Sequence, residues 1–399
     1  MDVLSHYAEK ATRRVVGLSA SATGIDAVLL DIAGSGAATR ISLRCFRRSG
    51  YPAQTRDALL RAASPECPGI EICRLNFAMG HLLADAAKQV VRSKGCSLDE
   101  IDLIGCGGLP LYHLMPQGSA GDSADHASIL QLGELAVVAE QTGVTTVGDF
   151  GASDIAAGGC GAPLMPFVDF VLFHHASRTR AVQTIDRMAS VTLVPAGDDP
   201  EALVAFDTGP GHLVVDTITS VVSEGKLLCD HDGRLASLGQ VNPELLEHMM
   251  AHPFIRRSPP KSSSGAEFGS DFIGSVLDVA EHCDITVEDL LATATAFTAE
   301  SIAVSYRQFL ASEPKIDEII LGGDGSYNAA LRRMLKSRLP GVPFYLHEDF
   351  GIYGKAKSSV GCAILANETM LGHASNIRRA TGAAPPRALG KIIPGANRA

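Results

Sequence analysis

Phe206-Asp207-Thr208-Gly209-Pro210-Gly211 decides how this chain is read. An apolar run at 203–206 meets an aspartate and a Gly-Pro-Gly turn, and a second apolar run, Leu213-Val214-Val215, follows. The pattern predicts a strand, a tight turn and the start of another element. Glycines without Cβ let a ligand approach the backbone, and free N–H groups at such a turn favour anions. Asp207 and Thr208 add a carboxylate and a hydroxyl at the same corner. Taken alone, the run fits a purely structural turn about as well as a phosphate site.

On its N-terminal side, strands are predicted at 180–185 and 191–194. On its C-terminal side the periodicity is mainly helical, at 243–250, 271–282 and 287–309, with an irregular Arg/Pro/Ser-rich stretch at 256–265. A strand at 316–321 then ends in Gly322-Gly323-Asp324-Gly325. Another follows at 342–346, and a closing helix at 355–370.

The N-terminal half opens with strands at 15–18, 25–32 and 41–46, an antiparallel meander with a small-residue turn at 19–24. Ile72, Leu75, Met79, Leu82, Leu83, Ala86 and Val90 keep helical spacing across 70–91. A strand at 101–104 runs into Gly105-Cys106-Gly107-Gly108, a loop is predicted at 118–127, a helix at 129–141 and a strand at 144–147. That last strand leads to Asp149-Phe150-Gly151-Ala152-Ser153-Asp154 and a glycine-rich bend at 156–163. Asp154, just past a strand end, reads as a general base or as a helix N-cap. The order of strands, glycine bends and helices suggests two α/β lobes around a cleft, with lobes at 1–150 (joined by 366–399) and 151–365. No sequence self-similarity relates the halves. A nucleotide held between them needs several close backbone approaches, because the chain has no GxxxxGK[ST] run.

Composition narrows the partners. The 399 residues accommodate two domains, and 46% hydrophobic with 20% charged residues is ordinary for a globular protein. A formal charge of -10 without a basic tract argues against nucleic acid. Nine scattered cysteines, none in a CxxC pair, fit a reducing compartment better than disulfides or zinc. Residues 1–14 lack the apolar core of a signal peptide, and no apolar run reaches membrane-spanning length. The expectation is a cytoplasmic protein with no membrane partner. His174-His175 lacks the spaced carboxylate or cysteine of a metal site, so no metal ligands are assigned; Arg256-Arg257 reads as a solvated face.

The motifs resemble those of the anhydro-N-acetylmuramic acid kinases and the related levoglucosan kinases. They are carried by Asp149-Phe150 with Asp154-Ile155-Ala156-Ala157-Gly158-Gly159, Gly161-Ala162-Pro163-Leu164, and the run at 206–211. Further matches are Pro259-Pro260-Lys261-Ser262, Gly322-Gly323 with Tyr327-Asn328, Leu389-Gly390-Lys391-Ile392, Gln131-Leu132-Gly133 and Gly24-Ile25-Asp26. They lie in family order from about 15 to 395. The resemblance implies the two-lobed fold of actin, hexokinase and the heat-shock ATPases (RNase H-like) with an interlobe cleft. It implies an ATP- and Mg²⁺-dependent kinase, homodimeric, that opens a 1,6-anhydro sugar with water and phosphorylates the freed oxygen. Asp154 would be the catalytic base. Gly24, Asp26, Asp207, Thr208, Gly209, Gly211, Gly322, Gly323 and Asn328 would contact the nucleotide, and Asp149, Gln131 and Lys261 the sugar.

The chain departs from the family pattern at several points. The first phosphate loop is two residues shorter, Ser19-Ala20-Ser21-Ala22-Thr23 before Gly24. The HGQT run reads Gly107-Gly108-Leu109-Pro110, and the NIGG phosphate motif reads Thr184-Ile185-Asp186-Arg187. Expected arginines are Gly151 and Ala266, an expected glutamate is Ser358, an expected glutamine is Cys160, and Asp324 is an extra residue in the third glycine motif. A negative charge at Asp186 costs roughly 1 kcal/mol against a phosphate at 4 Å in water and about 4 at an effective dielectric of 20. Each sugar hydroxyl left unpaired by the lost His and Gln costs about 1–3 kcal/mol. Two readings follow: an active kinase that keeps its base, or a catalytically degenerate relative serving as a binding or scaffolding module.

Overall fold

The computed structural model describes residues 3–114, 127–263, 265–383 and 385–396; residues 118–126 of the predicted loop lie outside these. Contacts gather the chain into two units, Met1–Leu172 with Ala356–Ala399, and Phe173–Lys355.

In the first unit β1 (Arg13–Ala20), β2 (Gly24–Ala33) and β3 (Arg40–Gly50) form the predicted antiparallel meander. β4 (Leu103–Gly107) pairs parallel to β1, and β7 (Thr146–Gly148) parallel to β4. The last strand, β13 (Lys391–Ile393), adds antiparallel to β7, so the order across the sheet is β13-β7-β4-β1-β2-β3. The Gly69–Arg92 helix lays Leu75, Met79, Leu83 and Val90 against Val16, Leu18 and Leu29, each fully buried side chain contributing about 1.5–3 kcal/mol. The Lys357–Met370 helix is buried at every residue but Ser358. It can lie on the sheet because β1 and β4 present Gly17 and Gly105, paired in register, where a Cβ would overlap the carbonyls of Ser359 and Cys362.

In this unit one element differs from its expectation. Residues 129–132 are strand, not helix: β6 (Ser128–Leu132) pairs antiparallel with β5 (Leu109–Leu114). Helix begins only at Leu135 and runs to Thr142, with the Glu134 carboxylate accepting from the Ala136 N–H and left-handed Gly143 closing it. The apolar spacing is helical throughout, but the Gly133 N–H is held by Asn76 at 2.8 Å, which divides the segment.

The second unit repeats the first arrangement. β8 (Arg180–Ile185) and β9 (Met188–Val194) form a hairpin, β10 (Val204–Pro210) adds antiparallel to β9, and β11 (Glu318–Gly322) and β12 (Phe344–Leu346) add in parallel beyond β8. The order β10-β9-β8-β11-β12 matches β3-β2-β1-β4-β7 strand for strand and direction for direction. The Val287–Phe309 helix, capped by the Thr286 hydroxyl accepting from Asp289, packs Ile302 and Tyr306 on Phe206, Leu193 and Ile319. Its other face joins Phe254, Phe268 and Leu245 in a helical core. The expected tight turn at Asp207 is a bulged strand end: the register shifts between Asp207 and Gly209, and β10 continues to Pro210. The chain turns only at Gly211 and His212, into the Leu213–Val222 helix.

Candidate functional site

In the second unit three turns converge. The β8–β9 turn holds Asp186 and Arg187, the β10 end holds Gly211, and the β11 end holds Gly322-Gly323-Asp324. The Gly211 N–H donates to the Arg187 carbonyl at 2.9 Å and the His212 N–H to the Asp186 carbonyl at 2.9 Å. The Asp186 carboxylate reaches the third turn, accepting from the Asp324 N–H at 3.0 Å. Side chains are excluded at the crossing points: a Cβ on Gly211 would overlap the Asp186 carbonyl, and one on Gly323 (φ +82°) would lie 2.6 Å from the Asp186 Oδ1.

A cavity of about 550 Å³ opens beside these turns, lined among others by Gly211, His212, Asp324, Gly325, Tyr327 and Asn328. That volume falls in the range of small-molecule sites. The cavity also takes Asp216, Asp230, Asp232 and Lys355. His212 pairs with Asp216 one helical turn on, Nδ1 to Oδ2 at 2.7 Å. Burial works against its protonation, but the Asp216 hydrogen bond and the charges of Asp216, Asp186 and Asp324 prevail and raise its pKa. Asp230 accepts from the Leu235 and Ala236 N–H groups, and Lys355 lies 3.6 Å from Asp324. Asn328 caps the Ala329–Arg338 helix, its Oδ1 accepting from the Leu331 N–H at 2.9 Å.

Of the residues singled out for a nucleotide, Gly211 and Asn328 line this cavity; Gly323 adjoins it through Asp186. Asp207, Thr208, Gly209 and Gly322 do not line it, and neither does Lys261, expected at the sugar. Thr208 is buried between Gln183 and the Ser305 hydroxyl, Gly209 packs on Ser301, and Gly322 on the His347 ring. The Asp207 carboxylate accepts from the Ser263 N–H at 2.8 Å and the Ser262 hydroxyl at 3.2 Å. Burial raises its pKa against those bonds and the Lys261 charge. Lys261 is buried over Phe254 and Phe309, its ammonium donating to the Phe254 and Ile255 carbonyls. Burial and the Arg257 charge push its pKa down to about 8, against the pull of Asp207. His212, Asp216, Asp230 and Asp232 escaped sequence reasoning; the one available signal was the His/Asp pair at helical spacing after the glycine turn.

In the first unit, Asp149 and Asp154 share the short helix Phe150–Ala156. Asp149, not Asp154, holds the N-cap position, in a left-handed conformation (φ +54°), its carboxylate 2.8 Å from Lys391. Asp154 sits inside the helix and is fully buried. Its carboxylate accepts from the Gly161 N–H at 2.8 Å, the Thr381 hydroxyl at 2.8 Å and the Asn376 amide at 3.3 Å. Gly159 lies against it where a Cβ would overlap Oδ2. Gln131 lies on β6 opposite Pro110, and Ile129 of the same strand packs over Gly151. Cys160 follows in the bend; burial, then the Asp154 charge, raises its thiol pKa. Gly24 and Asp26 are in β2, with Asp26 in a two-pronged pair with Arg48 at 2.6 and 2.7 Å. Among the described residues no helix is long and apolar enough to cross a membrane, and no group of three or more His, Cys, Asp or Glu is placed to hold a metal.

Two α/β units, each built on a sheet of the same order and directions, define a protein of the actin, hexokinase and heat-shock ATPase fold class. The chain belongs to the anhydro-N-acetylmuramic acid kinase family, whose model matches residues 13–395. It is 39% identical to the anhydro-N-acetylmuramic acid kinase of Caldanaerobacter subterraneus subsp. tengcongensis, over 98% of this chain and 100% of that protein. It is 37% identical to the Bacillus cereus enzyme of the same name, over 93% and 96%. Among solved structures, component A of the Acidaminococcus fermentans (R)-2-hydroxyglutaryl-CoA dehydratase aligns over 90% of this chain and 99% of that one, with a TM-score of 0.42 and 11% identity.

Proposed function

We propose that the chain is an ATP-dependent kinase of a 1,6-anhydro sugar, with the nucleotide seated in the second unit. The observation that carries this is the 550 Å³ cavity beside the convergent backbone turns of Gly211 and Asp324-Gly325. A nucleotide needs close backbone approach and a walled pocket, and both occur there. Asp216 and Asp324 are the cavity carboxylates suited to share a Mg²⁺ ion with phosphate oxygens, since that ion keeps most of its water and takes one or two protein ligands. Bound ATP supplies the phosphoryl group, and Mg²⁺ neutralises its charge. Asp154 is assigned the proton of the attacking water. Its carboxylate has about four acceptor sites, and Gly161, Thr381 and Asn376 occupy three of them, which leaves one for the water. Asp149 and Gln131 are the polar groups assigned to the sugar.

A second reading, a folded relative that binds without turnover, is favoured by one observation: the Asp154 carboxylate is fully buried and held by the Gly161 N–H, the Thr381 hydroxyl and the Asn376 amide, as a structural carboxylate is. Turnover with Mg²⁺-ATP and a panel of anhydro sugars separates the two. The kinase predicts phosphorylated sugar well above an Asp154→Asn control whose thermal melt shows it folded. No excess over that control leaves the binding module.

A further inference from the structure

The second unit carries an anion of its own at the turn where a phosphate would bind. Asp186 stands in the β8–β9 turn, its backbone tied on both sides: its N–H donates to Met188 at 3.1 Å and its carbonyl accepts from His212 at 2.9 Å. With the backbone fixed, the carboxylate is aimed at the third turn, and Oδ1 takes the Asp324 N–H at 3.0 Å. Gly323 has no side chain to keep it away. Backbone N–H groups in such turns are the donors that phosphate oxygens use. Here a carboxylate oxygen of the protein already uses one of them, a few residues from Gly325 and Asn328 on the cavity wall.

We propose that Asp186 is a built-in stand-in for a phosphate oxyanion and sets the ligand preference of this cavity: it admits the nucleoside part of an adenine nucleotide and discriminates against its outer phosphates unless a divalent cation covers them. This rests on the nucleotide reading of the cavity given above. Of the groups facing that end of the cavity the carboxylates act in the same direction, and the His212 imidazole paired with Asp216 acts against them. Asp216 and Asp324 repel a polyphosphate, and Lys355, at 3.6 Å from Asp324, is already partly neutralised. Asp186 and Arg187, the next residue in the turn, are both exposed, so solvent screens both charges, and it is the Asp186 side chain that holds the Asp324 N–H. Adenosine, which is uncharged, meets none of this repulsion, and a nucleotide whose phosphates are covered by a divalent cation meets less of it.

The test compares adenosine, ADP and a non-hydrolysable ATP analogue, with and without Mg²⁺, by calorimetry on the full chain and on Asp186→Asn and Asp186→Gly. The wild type is expected to bind adenosine at least as tightly as the metal-free ATP analogue. Asp186→Asn keeps an oxygen for the Asp324 N–H but removes the charge. It is expected to tighten the metal-free analogue by about tenfold, the order expected of one partly screened charge. Asp186→Gly, which also frees the N–H, should tighten it further. Adenosine should stay within about twofold in both variants, since it places no charge at the turn. If adenosine binds but neither variant tightens the ATP analogue, Asp186 does not set the preference and the proposal fails. If adenosine and every nucleotide fail to bind all three proteins, the nucleotide reading falls and this inference with it. Thermal melts of the variants exclude misfolding, and if Asp186→Gly is unstable, Asp186→Asn alone decides.

Discussion

The two sheets are the same construction carried out twice, and they differ most at equivalent places. In the first unit the opening hairpin turns through Ser21, Ala22 and Thr23 and closes on itself: the Ser21 N–H donates to the Gly24 carbonyl, and the Tyr51 hydroxyl covers the Ser21 and Gly24 carbonyls. In the second unit the equivalent turn, Asp186-Arg187, is bound to the two later turns through Gly211, His212 and Asp324. The sheet centres differ in the opposite sense. Gly17 and Gly105 bring a helix backbone directly onto the first sheet, where the second sheet has Val182 and Ile320 in register. One topology therefore carries two kinds of sheet centre: glycines that meet a helix backbone in one unit, and buried branched side chains in the other.

The largest effect should come from putting a side chain where the first unit has none. Gly105→Val places a Cβ into the Cys362 carbonyl, a backbone atom of a helix buried almost throughout, and overpacking against backbone has no flexible neighbour to absorb it. We expect a loss of at least about 3 kcal/mol in urea unfolding. The equivalent change in the second unit, Ile320→Val, should cost only about 0.5–1.5 kcal/mol. Equal losses at the two positions would erase the distinction between the sheet centres.

The third strands differ in how they hold charge, and pH separates them. Asp207 in β10 faces Lys261, whose pKa is pushed down to about 8 from 10.5 by burial. A folded-state value below the unfolded one means that the unfolded chain binds more protons between those two values. Stability should therefore rise with pH from about 8 to about 10.5, by up to about 3 kcal/mol for this group. Lys261→Met should remove that part of the rise and raise stability at pH 7. Melts of both proteins at pH 7 and pH 10 check this. A wild-type rise that survives intact in Lys261→Met shows that the lysine is not its source.

Much of this was legible in the chain, and the parts that were not share a cause. The strands of both meanders and the helices at 243–250, 271–282 and 287–309 are local patterns, and they formed where the spacing put them. Residues 129–132 kept helical spacing yet became strand, because their fate rests on pairing with β5, which is a non-local event. Gly105 reads as the residue just past a strand but lies within β4, because what it accommodates is a helix more than 250 positions later. The cavity was invisible for the same reason. Its His212, Asp230, Thr295, Asp324 and Lys355 come from separate segments that only the fold assembles. Asp186 stands out in the sequence as a charge near a phosphate turn, but its hydrogen bond to that turn could not be foreseen from spacing.

The smallest effect should come from the charge pair of β2 and β3. Arg48 is 42% exposed, so its two-pronged contact with Asp26 is worth little in the solvated half and more at the covered carboxylate. Arg48→Ala should cost about 1 kcal/mol or less, and the loss should shrink in high salt. The Lys261 effect, set in an apolar enclosure of Phe254 and Phe309, should change little with salt. Asp26 was one of the residues assigned to a nucleotide, and its carboxylate is taken by Arg48, so the same variant also asks whether the arginine keeps it from that role. If Arg48→Ala leaves stability nearly unchanged but alters binding of a Mg²⁺-loaded nucleotide, Asp26 belongs to the site. A loss above about 2 kcal/mol that ignores salt would instead make this pair as integral to the fold as its counterpart in the second unit.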